Sequence, residues 1–116
     1  MTFSITDNRA KKAIVDRGIL MFGDTDATTT DNKPDPTDNW IVEFTLDQDK
    51  ILSWVAFGAM AGYFQLAAIP RHLSDHPACT IAIDAPRRAQ GMFKAEAGRT
   101  YRITSVGCAG LRGELR

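Results

Sequence analysis

The chain is 116 residues long, 44% hydrophobic and 24% charged, with 14 basic and 14 acidic side chains that sum to zero net charge. That length and composition fit one globular domain, residues 1–116, and exclude a disordered, collagen-like or cysteine-stapled chain. Overall neutrality also argues against a dedicated polyanion binder.

At the start, Thr6 or Asp7 is placed to cap a short helix through Ala10, Ala13 and Ile14, with Gly18 as its left-handed terminator. Ile19–Phe22 reads as a short buried strand. Residues 23–39 carry Asp, Thr, Asn and Pro without a periodic apolar residue, which predicts a long exposed loop of the kind used for binding or assembly. Trp40, Val42, Phe44 and Leu46 alternate with Ile41, Glu43 and Thr45, the period of a strand with one buried face.

Residues 51–69 contain no formal charge. Preceded by Asp47 and Asp49, rich in alanine and stopped by Pro70, the 50–69 segment predicts a buried core helix. Two alternatives remain open for it. Aromatic runs on either side of Gly58–Gly62 suit a β-hairpin, and the uncharged length, with glycines four apart, suits a membrane span. Further on, residues 79–83, 91–95 and 100–106 read as strands. Glu96-Ala97-Gly98-Arg99 supplies the chain's best hairpin turn, and Tyr101, Ile103 and Ser105 share one face. The fold expected is therefore α+β, an antiparallel sheet of about five strands packed on one helix; if 50–69 is a hairpin, an all-β sandwich or small barrel replaces it.

Charge is distributed unevenly. Residues 18–49 hold eight acids and one base, a sum of −7, whereas residues 86–116 hold seven bases and two acids, a sum of +5. Complementary regions of this kind suit contact surfaces. Candidate interaction residues are Asp24, Asp26, Asp31, Asp35 and Asp38 on the acidic side, and Arg87, Arg88, Arg99 and Arg102 on the basic side. The same arginines, with Phe93 and Tyr101 interleaved, resemble a stacking surface for nucleic acid, but packing explains the aromatics more simply and the acidic loop would repel phosphate.

Two metal constellations come into view. His72, His76, Cys79 and Cys108 could complete a tetrahedral zinc site, although Pro77 interrupts any helix aligning the histidines. Asp24, Asp26, Asp31 and Asp35 are calcium-type oxygen ligands without the glycine and terminal glutamate of a calcium loop. Cys79 and Cys108 could instead form a disulfide if strands 79–83 and 100–106 are neighbours, or remain free thiols in the core.

No nucleophile elbow, phosphate loop or dinucleotide fingerprint is present, so no enzyme activity, cofactor or small-molecule substrate is expected. The function expected is non-enzymatic: a protein-interaction or assembly subunit, of the accessory kind found in phages or mobile elements, that self-associates or binds a protein partner. Nucleic acid and membrane are not expected partners. Zinc binding and membrane anchoring through 51–69 are the alternatives. The first residues carry no signal-peptide pattern, so a cytoplasmic or virion-associated protein is expected, or an extracytoplasmic one if a leader has been removed.

Overall fold

The computed structural model describes residues 2–23, 39–58, 62–70, 79–83, 87–106 and 110–116. These residues build ten strands: β1 (Phe3–Asp7), β2 (Ala13–Asp16), β3 (Ile19–Gly23), β4 (Trp40–Leu46), β5 (Lys50–Gly58), β6 (Gly62–Ile69), β7 (Cys79–Ile83), β8 (Arg87–Ala95), β9 (Thr100–Val106) and β10 (Arg112–Leu115). They form two five-stranded antiparallel sheets, in the orders β1-β4-β9-β6-β7 and β2-β3-β10-β5-β8. Leaving out β1 and β2, each of which extends one sheet by a strand, the eight strands β3 to β10 follow jelly-roll order, crossing between the sheets at every step except from β6 to β7, which pair with each other.

The expected α+β class is therefore wrong, and the all-β sandwich alternative fits. The 50–69 helix is replaced by β5 and β6. Leu52, Trp54 and Ala56 point into the core while Ile51, Ser53, Val55 and Phe57 point away. Because the outward row carries no charge, the two-residue period is hidden and the run imitates a buried helix. The membrane-span alternative falls with the helix: among the described residues, no helix is long and apolar enough to cross a bilayer. Residues 7–17 are likewise not helical. A turn joins β1 to β2, tied by the Asn8 side chain, whose Oδ1 accepts from the Lys12 and Ala13 amides and whose Nδ2 donates to the Ala13 carbonyl. Gly18 does take the left-handed conformation, at φ 76°, but between two strands.

Both expected hairpins have the right strands and the wrong partners. β5 pairs with β8 and β10, whereas β6 lies in the opposite sheet between β9 and β7. β8 and β9 are also in different sheets, and residues 96–99 carry the chain across the sandwich rather than back along it. The gain is a cross-core contact: Phe93 of β8 meets Tyr101 of β9 edge-on, with ring centroids 5.5 Å apart. The Tyr101 hydroxyl then accepts a hydrogen bond from the Glu96 amide at 2.6 Å, pinning the crossing.

The core lies between the sheets and is largely aromatic. Phe64 stacks on Phe22 at 5.5 Å and tilts against Trp54 at 5.1 Å, so β6 of one sheet is clamped by β3 and β5 of the other. Phe44 links Phe3 to Tyr101 at the other end of the same layer. Gly113 of β10 makes room for this packing, since a Cβ there would collide with the Val55 carbonyl oxygen and lie 2.6 Å from the Phe22 ring.

Candidate functional site

With the space between the sheets filled by rings, the surfaces left for contact are the two outer sheet faces. On the β1-β4-β9-β6-β7 face the outward row of β4 and β9 is Ile41, Glu43 and Thr45 beside Thr100, Arg102, Thr104 and Val106. Its charges are paired: Arg102 Nε and Nη2 both donate to Glu43 Oε1, at 3.0 and 2.6 Å, from directly opposite positions. Both residues are half-buried and satisfied by each other.

The β2-β3-β10-β5-β8 face is different. Its outward rows run Ile14 and Asp16 on β2, Ile19 and Met21 on β3, Arg112 and Glu114 on β10, Ile51, Ser53, Val55 and Phe57 on β5, and Arg88, Gln90, Met92 and Lys94 on β8. Met92 is 65% exposed, Ile51 58% and Phe57 37%, three of the four large apolar side chains that stand out among the described residues. The fourth, Val106, is on the opposite sheet.

On β5 the small side chains Ser53 and Val55 sit between the larger Ile51 and Phe57, and longer side chains flank them on either side. The result is a trough of about 500 Å³, with Arg88, Gln90 and Met92 on one wall, Glu114 and Arg116 on the other, and Ser53, Val55, Trp54 and Gly91 completing the lining. Gly91 sits directly opposite Trp54, and a Cβ there would come within 2.8 Å of the indole ring. The indole thus occupies the space that a side chain at 91 would need.

At one end of the trough lies Phe57, flanked by the register partners Arg88 and Arg112. Both guanidinium carbons lie over its ring, at 5.8 and 5.7 Å from the centroid. Arg9, Arg102 and Arg116 are each held by a carboxylate, of Asp7, Glu43 and Glu114 respectively. Arg88 and Arg112 are instead held by a ring, and their hydrogen-bonding edges have no carboxylate partner among the described residues. A guanidinium stacked on an aromatic face is oriented and partly desolvated, which prepares it to take a carboxylate in a two-pronged contact.

Two groups are set below the ordinary carboxylate range. The Arg9 side chain donates to Asp7 and holds its carboxyl down, and the Thr2 amide, 2.6 Å from Asp47 Oδ1, does the same there. The Asp47 contact ties the start of β1 to the end of β4, and the Asp7 contact holds the turn that leaves β1, both away from the trough. The buried polar atoms without a partner, Trp54 Nε1 and Ser105 Oγ, lie inside the sandwich.

Of the basic residues expected at a contact surface, the structure places Arg88 in the clamp and Arg87 at the start of the same strand. It separates the others from them: Arg102 is on the opposite sheet facing Glu43, and Arg99 lies in the crossing turn with Nη2 donating to the Pro70 carbonyl at 2.9 Å. Arg112, which belongs to the clamp, was not singled out from the sequence. Its signal would have been the pairing of β10 with β5, which no local pattern reveals. Phe93 and Tyr101 face the core, so they offer no stacking platform.

Asp24, Asp26, Asp31, Asp35 and Asp38 lie outside the described residues, as do His72, His76 and Cys108, and with them the proposed zinc and calcium ligand sets. Cys79 begins β7, and β6 separates that strand from β9, so the adjacency on which a Cys79–Cys108 disulfide was premised is not met. Among the described residues no group of three or more metal-ligating side chains comes together. No protein family, curated protein or solved structure matches the chain.

Proposed function

We propose that the protein is a non-catalytic interaction module that docks a carboxylate-bearing protein surface onto the outer face of the β2-β3-β10-β5-β8 sheet. The observation that carries this reading is the Arg88–Phe57–Arg112 clamp: two guanidinium groups oriented by one half-exposed ring and left without an acid, with Met92 and Ile51 exposed further along the same face. Apolar contact supplies affinity and the paired cations supply selection for acidic partners. The jelly-roll order is shared by capsid, lectin and cupin domains, which is a likeness of fold and selects no function.

The Asp-rich sequence of residues 24–38 makes a suitable probe because it has the required chemistry: five aspartates and one lysine. As a free peptide it should bind the protein, with the affinity falling as salt rises. Arg88→Glu/Arg112→Glu should abolish the binding, and Arg102→Glu, on the opposite sheet, should leave it intact. Equal loss in both variants would remove the site from this face.

A further inference from the structure

We propose that β8 is also the seam of a homodimer, in which two copies pair their β8 strands antiparallel about a twofold axis at Met92 and fuse two five-stranded sheets into one of ten. This contact runs along the strand edge and shares Arg88 with the proposed acid-binding face, and it stands even if that face binds no acidic partner.

Four strands end the two sheets, and they are not equivalent as edges. β2 has four residues and β7 five, while β1 is interrupted by a register shift between Ile5 and Asp7. β8 has nine, paired with β5 without a break from Lys50↔Ala95 to Gly58↔Arg87, and it contains no proline. On its other side its own sheet provides no strand among the described residues. A long, regular, unbroken edge is a template for another strand. Beside it, Met92 and Ile51 stand exposed on the outer face.

Side-chain alternation limits the pairings, because opposed residues must lie on the same face. Around the middle of β8 three antiparallel registers satisfy this. Centring on Gly91 sets Arg88 against Lys94 of the second copy, a like-charge pair. Centring on Gln90 sets Arg88 against Met92 and separates the two exposed methionines. Centring on Met92 sets Met92 against itself, Gln90 against Lys94, Ala89 against Ala95 and Gly91 against Phe93. It also brings Arg88, which has no carboxylate of its own, level with the exposed Glu96 just past the end of β8 in the second copy, twice per dimer. Only this register opposes no like charges, joins the exposed methionines and supplies an ion pair at each end.

Sedimentation velocity on the full chain should show a reversible monomer–dimer equilibrium. Met92→Glu, which opposes two carboxylates at the axis on a side chain too exposed to matter for folding, should raise the dimer Kd about tenfold or more. Arg112→Glu, outside the seam, should leave the dimer unchanged while removing acidic-peptide binding, so the two surfaces fail separately. Register is read by oxidation: Met92→Cys should give a cross-linked dimer above the wild-type background, and Gln90→Cys should not, since it opposes residue 94. A monomeric wild-type chain up to its highest soluble concentration, or equal cross-linking of the two cysteine variants, would overturn the proposal.

Discussion

The two outer faces of this sandwich are built from strands of similar length and share one core, yet they treat charge in opposite ways. On the β1-β4-β9-β6-β7 face, Arg102 meets Glu43 across a strand pair, among threonines, Gln65, Ile41 and Val106. On the β2-β3-β10-β5-β8 face, Arg88 and Arg112 meet across Phe57 with no acid between them, and Ile51, Val55 and Met92 stand there among Ser53, Gln90, Lys94 and the Glu114–Arg116 pair. The first face is finished within the chain. The second leaves apolar area and oriented cations exposed, an arrangement that gains when another molecule covers it.

Several substitutions would break or sharpen this contrast. The largest effect should come from Phe64→Ala, which removes the ring shared by both sheets: about 3–5 kcal/mol in urea unfolding, with far-UV and tryptophan signals lost together because neither face has a core of its own. Gly113→Ala, which forces a methyl against the Val55 carbonyl and the Phe22 ring, should cost about 1–3 kcal/mol. The contrast itself is tested by a matched pair. Arg102→Ala strands the half-buried Glu43 and should lower stability by about 1 kcal/mol, whereas Arg112→Ala loses only an exposed ring contact, about 0.5 kcal/mol or less, yet loses partner binding.

The smallest effect concerns acid. Asp7 and Asp47 have folded-state values below the ordinary 3.8, so the stability they give is complete above that value and is lost as pH falls through the lower folded values. Between them they hold the start of β1 and the turn that leaves it. Hydrogen exchange in β1 should therefore accelerate before that of β4 as pH falls below about 4, and Asp7→Asn/Asp47→Asn should remove the dependence.

What was legible in the sequence follows from how much contrast each strand carries between its faces. β4 and β9 alternate apolar with polar residues, and their limits and buried faces were read correctly, down to Ser105 pointing inward. β5 and β6 lack that contrast because both their rows are uncharged. β1, β2 and β10 are short and carry mixed polar residues, so long-range pairing defines them more than pattern does. The charge split was visible, but its use was not. Arg87 and Arg88 were in view while Arg112, twenty-four residues further on, joins Arg88 only through the shared neighbour β5. Arg102 looked equivalent to Arg88 in sequence and is its opposite in the fold.

The proposed carboxylate-binding contact point is the Arg88–Phe57–Arg112 clamp. Amide and side-chain NMR titration with the Asp-rich 24–38 peptide tests it most directly. Shifts concentrated at Phe57, Val55, Arg88 and Arg112, absent at Glu43 and Arg102 and suppressed by salt, are the predicted result; shifts on the opposite face, or none at any peptide concentration, would contradict it.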